Sequence, residues 1–270
     1  QLIVTGTSAS YVLISNNNLG EAAIVLAVPI TYGTISNNVA TLDIISDLIT
    51  TTISNNSGEI RNSSGTPTFE QTTVVGNTLG PITFFNDISF FQSTIASDYF
   101  EAPVVYFKLI DADPADVIIS SNIFDGYATL ESDSIIDSVN FNNNTCISTG
   151  GIDSLYINAG IVNSKISGNN GFEILLNEGS SNSSISNNNA PSGTFVMNGD
   201  VDNTLFDGNT MASFQVLSIA QSATIETSIF SNNIMISGWG IGLVAPASNT
   251  LEFTSNIITN NSISILTAFN

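Results

Sequence analysis

One apolar residue, two small or polar residues and an asparagine make a four-position pattern that recurs from residue 14 to residue 256. It reads Ile14…Asn17, Ile35…Asn38, Ile53…Asn56, Val74…Asn77, Ile119…Asn122 and Phe141…Asn144 in the first half. It continues as Ile166…Asn169, Ile185…Asn188, Phe206…Asn209, Phe230…Asn233 and Phe253…Asn256. Ile95…Asp98 completes the set, with Asp in place of Asn. Successive apolar residues lie 18 to 25 positions apart. A short, steady period marks a repeat architecture, in which one unit cannot bury its own apolar face and must stack on its neighbours.

Within a repeat the apolar residues alternate with period 2 and never settle into the 3.6 spacing of a helix. Between Ile185 and Phe206, for example, a strand ends in the Asn turn and Pro191-Ser-Gly bends the chain. Thr194-Phe195-Val196-Met197 then forms a second strand, and Gly199 to Asn203 a second corner. Comparable second strands are Leu42-Asp43-Ile44, Val104-Val105-Tyr106, Glu173 to Leu176 and Phe214-Gln215-Val216. Short strands, tight corners and this period predict an all-β fold: a single-stranded parallel β-helix of about 12 rungs. Stacked about 4.8 Å apart, the rungs give a rod on the order of 50 Å long. Right-handed coiling follows from the crossover rule. Residues 1–270 form one domain, with 1–30 as an N-terminal cap or first rung; Gly20 to Pro29 reads equally as a strand or a short capping helix. A propeller blade would need about 40 residues and four strands.

The repeated Asn has two structural reasons. It tolerates the left-handed backbone of a sharp corner, and its amide can bond the same Asn one rung away. Asn17, Asn38, Asn56, Asn77, Asp98, Asn122, Asn144, Asn169, Asn188, Asn209, Asn233 and Asn256 are therefore expected to form a ladder along the rod. The position two before each apolar residue is mostly small (Gly33, Thr51, Thr72, Ser93, Ser164, Ser183, Thr204, Ser228), although Val12, Val117, Val139 and Leu251 also occur there. Small side chains suit a pinched cross-section.

The repeat resembles that of right-handed parallel β-helix proteins, the pectin-lyase-like superfamily, over nearly the whole chain. Its Phe-x-x-Asn copies, such as Phe141-Asn-Asn-Asn and Phe230-Ser-Asn-Asn, are also similar to the repeats of polymorphic outer-membrane proteins and adhesins. Gly150-Gly151-Ile152 is the one echo of the Gly-Gly-Ala-Ile motif that accompanies those repeats, and no autotransporter barrel follows. The likeness implies a fold far more than a function.

Composition narrows the chemistry. Formal charge is −20, and Arg61, Lys108 and Lys165 are the only basic side chains. Nucleic acid and anionic membranes are poor partners for such a surface. With no His and one Cys, most nucleophile and metal chemistry is removed, and no intramolecular disulfide can form. No apolar run is long enough to span a bilayer as a helix. Gln1 in place of Met fits a processed or excised chain. The resemblance implies that a lyase would need Arg or Lys as base; Lys165 precedes a core position and faces outward. It implies a His-containing motif for a glycosidase, which is missing. No enzymatic activity is expected.

Three features invite function nonetheless. Asp98 to Asp137 is rich in carboxylates, and Asp111, Asp113 and Asp116 surround Pro114 as a candidate calcium loop of hard oxygen ligands; the plain reading is a solvated acidic face, with no cofactor. Phe84-Phe85, Phe90-Phe91, Tyr99-Phe100 and Tyr106-Phe107, with Trp239, supply rings that stack sugars or bury as a side patch. Thr50-Thr51-Thr52 and Thr72-Thr73 suggest ice binding, but no regular Thr-x-Thr row persists along the sequence. Glycosylation sequons at Asn55, Asn62, Asn143, Asn182 and Asn260 are expected by chance in a chain with 34 Asn. Cys146 reads as a small buried residue just past an Asn turn. Strand-like, uncharged ends predict an extracellular or cell-surface structural protein (a virion surface is the alternative). Its partners would be copies of itself, end to end, or surface glycans. A carbohydrate-binding or polysaccharide-degrading β-helix is the competing expectation.

Overall fold

The computed structural model describes residues 1–80, 88–101, 104–109, 116–132, 135–147, 153–217, 223–236, 241–245, 251–255, 257–259, 261 and 266–269. It is an all-β parallel solenoid of about 10 turns, with no helix among the described residues. The turn count is roughly the one the repeat implies.

The repeated segment supplies one uninterrupted column. Twelve three-residue strands, from Leu13–Ser15 to Ile257–Thr259, stack in parallel register. Apolar peg sits on apolar peg: Ile14 on Ile35, Ile53 on Val74, Ile119 on Phe141, Ile185 on Phe206. The middle residue of each strand points inward and its neighbours outward, as a period of 2 requires. Burial follows that rule at Thr34–Ser36, where only Ile35 is buried.

What makes these strands short is a pair of left-handed residues five positions apart. Tyr11 and Asn16, Tyr32 and Asn37, Thr50 and Asn55, and Asn182 and Asn187 all have φ between 47° and 59°. Each left-handed residue swings the chain to a new side of the rod. Such a conformation costs an ordinary residue about 1–2 kcal/mol, and Asn is one of the few types that visit it readily. The corner is thus paid for by what surrounds it.

The remaining sides carry longer strands. Asn18–Leu26 pairs with Leu2–Val4 on one flank and Val39–Ile44 on the other. Residues 18–26 are therefore strand, and the first 30 residues are built into the solenoid. Phe172–Leu176, Asn189–Asn198 and Thr210–Leu217 continue another side. Two-residue strands such as Ser180–Ser181 and Val201–Asp202 form a third side immediately before the left-handed corner. The repeat pattern had placed only a corner there.

The core is a column of large side chains. Phe69 meets Phe90 edge-on at 5.3 Å, Phe100 stacks on Phe124 at 4.9 Å, and Phe206 stacks on Phe230 at 4.7 Å. In each described adjacent pair of aromatics the inner ring is in this core: Phe90, Phe100 and Phe107 are fully buried, whereas Phe91, Tyr99 and Tyr106 are half-buried. Phe84, Phe85 and Trp239 lie outside the described residues.

The last turn departs from the repeat's own register. Phe230 pairs with Ile258, not with Phe253, and Phe253 lies opposite Ile225 in a different column. Leu251, opposite Ala223, is likewise off the small-residue position expected of it.

Candidate functional site

The corner after each peg holds a continuous column of amides. The Oδ1 of Asn38 accepts from both the backbone N (3.0 Å) and the Nδ2 (2.9 Å) of Asn17 one turn earlier. Its own Nδ2 donates to Oδ1 of Asn56 at 2.9 Å and to the peg carbonyl of Ile14 at 3.2 Å. The same four bonds recur at Asn56, Asn144, Asn169, Asn188, Asn209 and Asn233. These amides are buried from Asn38 onward. Their final acceptor is Oδ1 of Asn261, which takes both donors of Asn233 at 2.8 and 3.0 Å. Asn256, the position given by the repeat, lies outside the described residues; Asn261 occupies the end of the ladder because Ile258 is the peg.

The reason for Asn at this place is local. It directly follows a left-handed residue, and its backbone N–H is bonded not to a strand carbonyl but to a carboxamide one turn away, as Asn17 N is to Asn38 Oδ1. A buried N–H without an acceptor costs about 1–3 kcal/mol. A carboxamide one turn away accepts that N–H and also presents a donor to the next turn, which no hydroxyl of this size does as well.

The other left-handed corner has the same problem and a different answer. The backbone N of Thr72 donates to Ser93 Oγ (3.1 Å), that of Ser164 to Ser183 Oγ (3.1 Å) and that of Thr204 to Ser228 Oγ (3.2 Å). Each hydroxyl then donates back, as Ser93 Oγ does to Phe91 O at 2.9 Å. The hydroxyl residues at this position are therefore caps for corner N–H groups, while at Gly33 an added Cβ would lie 2.7 Å from Ile30 Cγ2, so space is also limited there.

Asp98 breaks the amide column chemically while keeping its shape. Its Oδ1 accepts from Asn77 N (2.7 Å) and Asn77 Nδ2 (2.8 Å), and its backbone N donates to Asn122 Oδ1 (2.9 Å). Its Oδ2 is buried without a hydrogen-bond partner. Burial pushes the carboxyl up to about 7, against the opposing hydrogen bonds from Asn77. Among the described residues the other clear perturbation is at Asp207, held below the usual carboxylate range chiefly by the hydroxyl of Ser231 and then by the amide of Asn232.

Of the candidate calcium ligands, only Asp116 is among the described residues. Asp111 and Asp113 lie outside the described residues, and Asp116 is an exposed left-handed corner residue with φ 49°. Among the described residues no three His, Cys, Asp or Glu side chains are grouped to hold a metal. Lys165 is exposed and faces outward beside the Ile166 peg. Cys146 is half-buried, with Sγ 3.6 Å from Gly126 O.

One shallow groove opens on the pre-corner side, about 210 Å³ in volume, lined by Gly160, Glu178, Gly179, Asp200 and Asp202 among others. That is smaller than the 300–1,000 Å³ typical of ligand pockets. Its carboxylates already serve the frame. Glu178 Oε2 accepts from Gly160 N (3.2 Å), Asp200 Oδ1 from Thr224 N (2.7 Å), and Asp202 Oδ1 from Thr227 Oγ1 (2.8 Å). These residues come from different turns, so no local motif could have announced them.

Neither a family model, nor a curated protein, nor a solved structure matches the chain.

Proposed function

We propose that the protein is a non-enzymatic structural shaft of an extracellular or cell surface, extended by adding turns of the same kind end to end. The observation that carries this reading is the column of twelve equivalent three-residue strands in unbroken parallel register, a stack that further turns of the same kind extend. Leu2–Val4, Ala9–Ser10 and Leu13–Ser15 are each paired on one side only. Leu2, Ile3, Tyr11 and Leu13 are exposed there, Leu13 by 70% and Tyr11 by 79%. Open parallel edges with apolar side chains are templates for another strand set. A second solenoid end, or a further turn of a longer shaft, offers the matching spacing, and a head-to-tail contact that does not close makes a fibre. The amide and hydroxyl ladders suit that role, since each terminal member presents donors or acceptors to the next. Kinship with the pectin-lyase-like superfamily or with outer-membrane adhesin repeats remains part of this proposal, on the strength of the Phe-x-x-Asn turns. The test is light scattering with negative-stain microscopy over a concentration series. Rods lengthening with concentration support end-to-end growth, whereas an unchanging monomer at millimolar concentration refutes it.

A second reading, glycan binding, is favoured by one observation. The exposed rings of Tyr11 and Tyr32 stack at 5.3 Å with planes 20° apart, forming a small aromatic platform. Sugar faces stack on such surfaces. Retardation on polysaccharide gels that disappears in Tyr32→Ala, in a protein that stays monomeric, would favour it over the shaft reading.

A further inference from the structure

The only acid in the amide ladder stands where the repeat requires a donor. At every other internal position the amide nitrogen gives hydrogens to the next Oδ1 and to the peg carbonyl one turn back; Asn122, for instance, donates to Asn144 Oδ1 (3.1 Å) and Ile95 O (3.1 Å). At residue 98 that place is held by Oδ2. The acceptors the repeat sets there are Asn122 Oδ1 and the carbonyl of Val74. An ionised carboxylate, 1% exposed, would point lone pairs at lone pairs. A neutral carboxylic acid would instead donate its one hydrogen and restore a bond. We propose that Asp98 is a proton-loaded rung: neutral, it completes the ladder; ionised, it loosens the solenoid between the turns of Asn77 and Asn122.

The surroundings make the proton the controlling species. Asn77 faces Asp98 from the turn before and Asn122 from the turn after, both neutral. Burial is the first cause of its raised affinity for the proton, and no charged side chain contributes. The described ionisable groups on its own turn are Tyr99, Tyr106 and Lys108, half-buried, and Glu101 and Asp116, exposed. None of them is among the causes of the raised proton affinity.

The sign of the pH dependence follows from linkage. The folded carboxyl binds its proton more tightly than an unfolded one, with values of about 7 and 3.8. The stabilisation is therefore fully present below about pH 4. It is lost progressively as pH rises, and the loss levels off once pH passes about 7. Over that window the opening constant rises about tenfold per pH unit, roughly a thousandfold in all.

The experiment compares the wild type with Asp98→Asn, which supplies the donor permanently and preserves shape. Asp116→Asn, an exposed corner charge, serves as control. Carbon-13 NMR of labelled aspartate follows the Asp98 carboxyl directly, assigned by its disappearance in Asp98→Asn. Hydrogen exchange at Asn77, Asp98 and Asn122 measures opening at matched pH. The expected results are a carboxyl titrating near neutrality and protection that falls from pH 4 to 7 relative to Asp98→Asn, with Asp116→Asn tracking the wild type. A carboxyl already ionised at pH 5, or a wild type and Asp98→Asn sharing one pH profile, would overturn the proposal.

Discussion

Removing the side chain of Asn188 tests whether the amide column stabilises the rod or merely fills a corner. Asn188 is 1% exposed. Its Oδ1 accepts from Asn169 N at 3.1 Å and Asn169 Nδ2 at 2.9 Å. Its Nδ2 donates to Ile166 O at 3.0 Å and Asn209 Oδ1 at 2.9 Å. Alanine removes all four bonds, but the groups left behind fare differently. Asn169 Nδ2 keeps Phe141 O, and Asn209 Oδ1 keeps the backbone N of residue 188. Asn169 N loses its side-chain acceptor outright. An orphaned buried donor costs about 1–3 kcal/mol and each further lost bond about 1 kcal/mol. Asn188→Ala should therefore destabilise by about 4–6 kcal/mol. If the side chain acted only by packing, loss of so few atoms would cost about 1 kcal/mol or less. Urea unfolding followed by circular dichroism gives the global change. Because solenoids can open turn by turn, amide exchange at Asn169 gives the local one. Asn189→Ala next door removes only an exposed bond to Asn170 Oδ1, and should change stability by no more than about 0.5 kcal/mol. A cost for Asn188→Ala below about 1 kcal/mol, or one equal to that of Asn189→Ala, refutes the reasoning.

The other expectations are shorter. Phe124→Ala should cost about 3–5 kcal/mol by thermal or urea unfolding, because its ring packs on Phe100 at 4.9 Å and Phe172 at 5.6 Å and the cavity would be fully buried. Gly179→Ala should cost about 1–3 kcal/mol, since the added Cβ would run into the backbone carbonyl of Asp200, which cannot swing away as a side chain can; an unchanged midpoint would show that the turns can slide apart there. Asn261→Ala should lower protection of Asn233, whose N and Nδ2 both end on Asn261 Oδ1; equal protection in the variant and the wild type would show that the ladder stops earlier.

Sequence pattern reached the stacked parallel architecture because the peg and the corner are each one residue, repeated in the same chemical form. Ile185 and Asn188 do the same work as Ile35 and Asn38, so the eye can add the copies up. It failed where a structural requirement has several chemical solutions or a decoy. The second corner accepts Thr51, Ser93 or Val139, and so looked like a demand for small size, when Oγ groups were answering a corner N–H. The two-residue strands Ser180–Ser181 and Val201–Asp202 are too short to show any period. Phe253-Thr-Ser-Asn256 imitates the peg and corner in four letters, but pairing with the preceding turn places Ile258 over Phe230. Register is decided by what lies one turn away, which a local four-residue match does not contain.

That distinction also explains why Asp98 stands apart from the other carboxylates. Other acids meet donors and serve the frame: Asp200 Oδ1 caps Thr224 N, and Asp207 takes hydrogens from Ser231 and Asn232. At Asp207 those donors stabilise the charge, as its lowered affinity for the proton records. Asp98 has donors on one side only, from Asn77, and inherits acceptors on the other from a repeat that everywhere else supplies an amide. One oxygen for one nitrogen leaves the shape of the rung intact while inverting what it offers its neighbour. In a fold whose turns are otherwise near-copies, such a substitution is where the rod's response to its surroundings can differ from turn to turn, and a proton is the smallest agent able to reverse it.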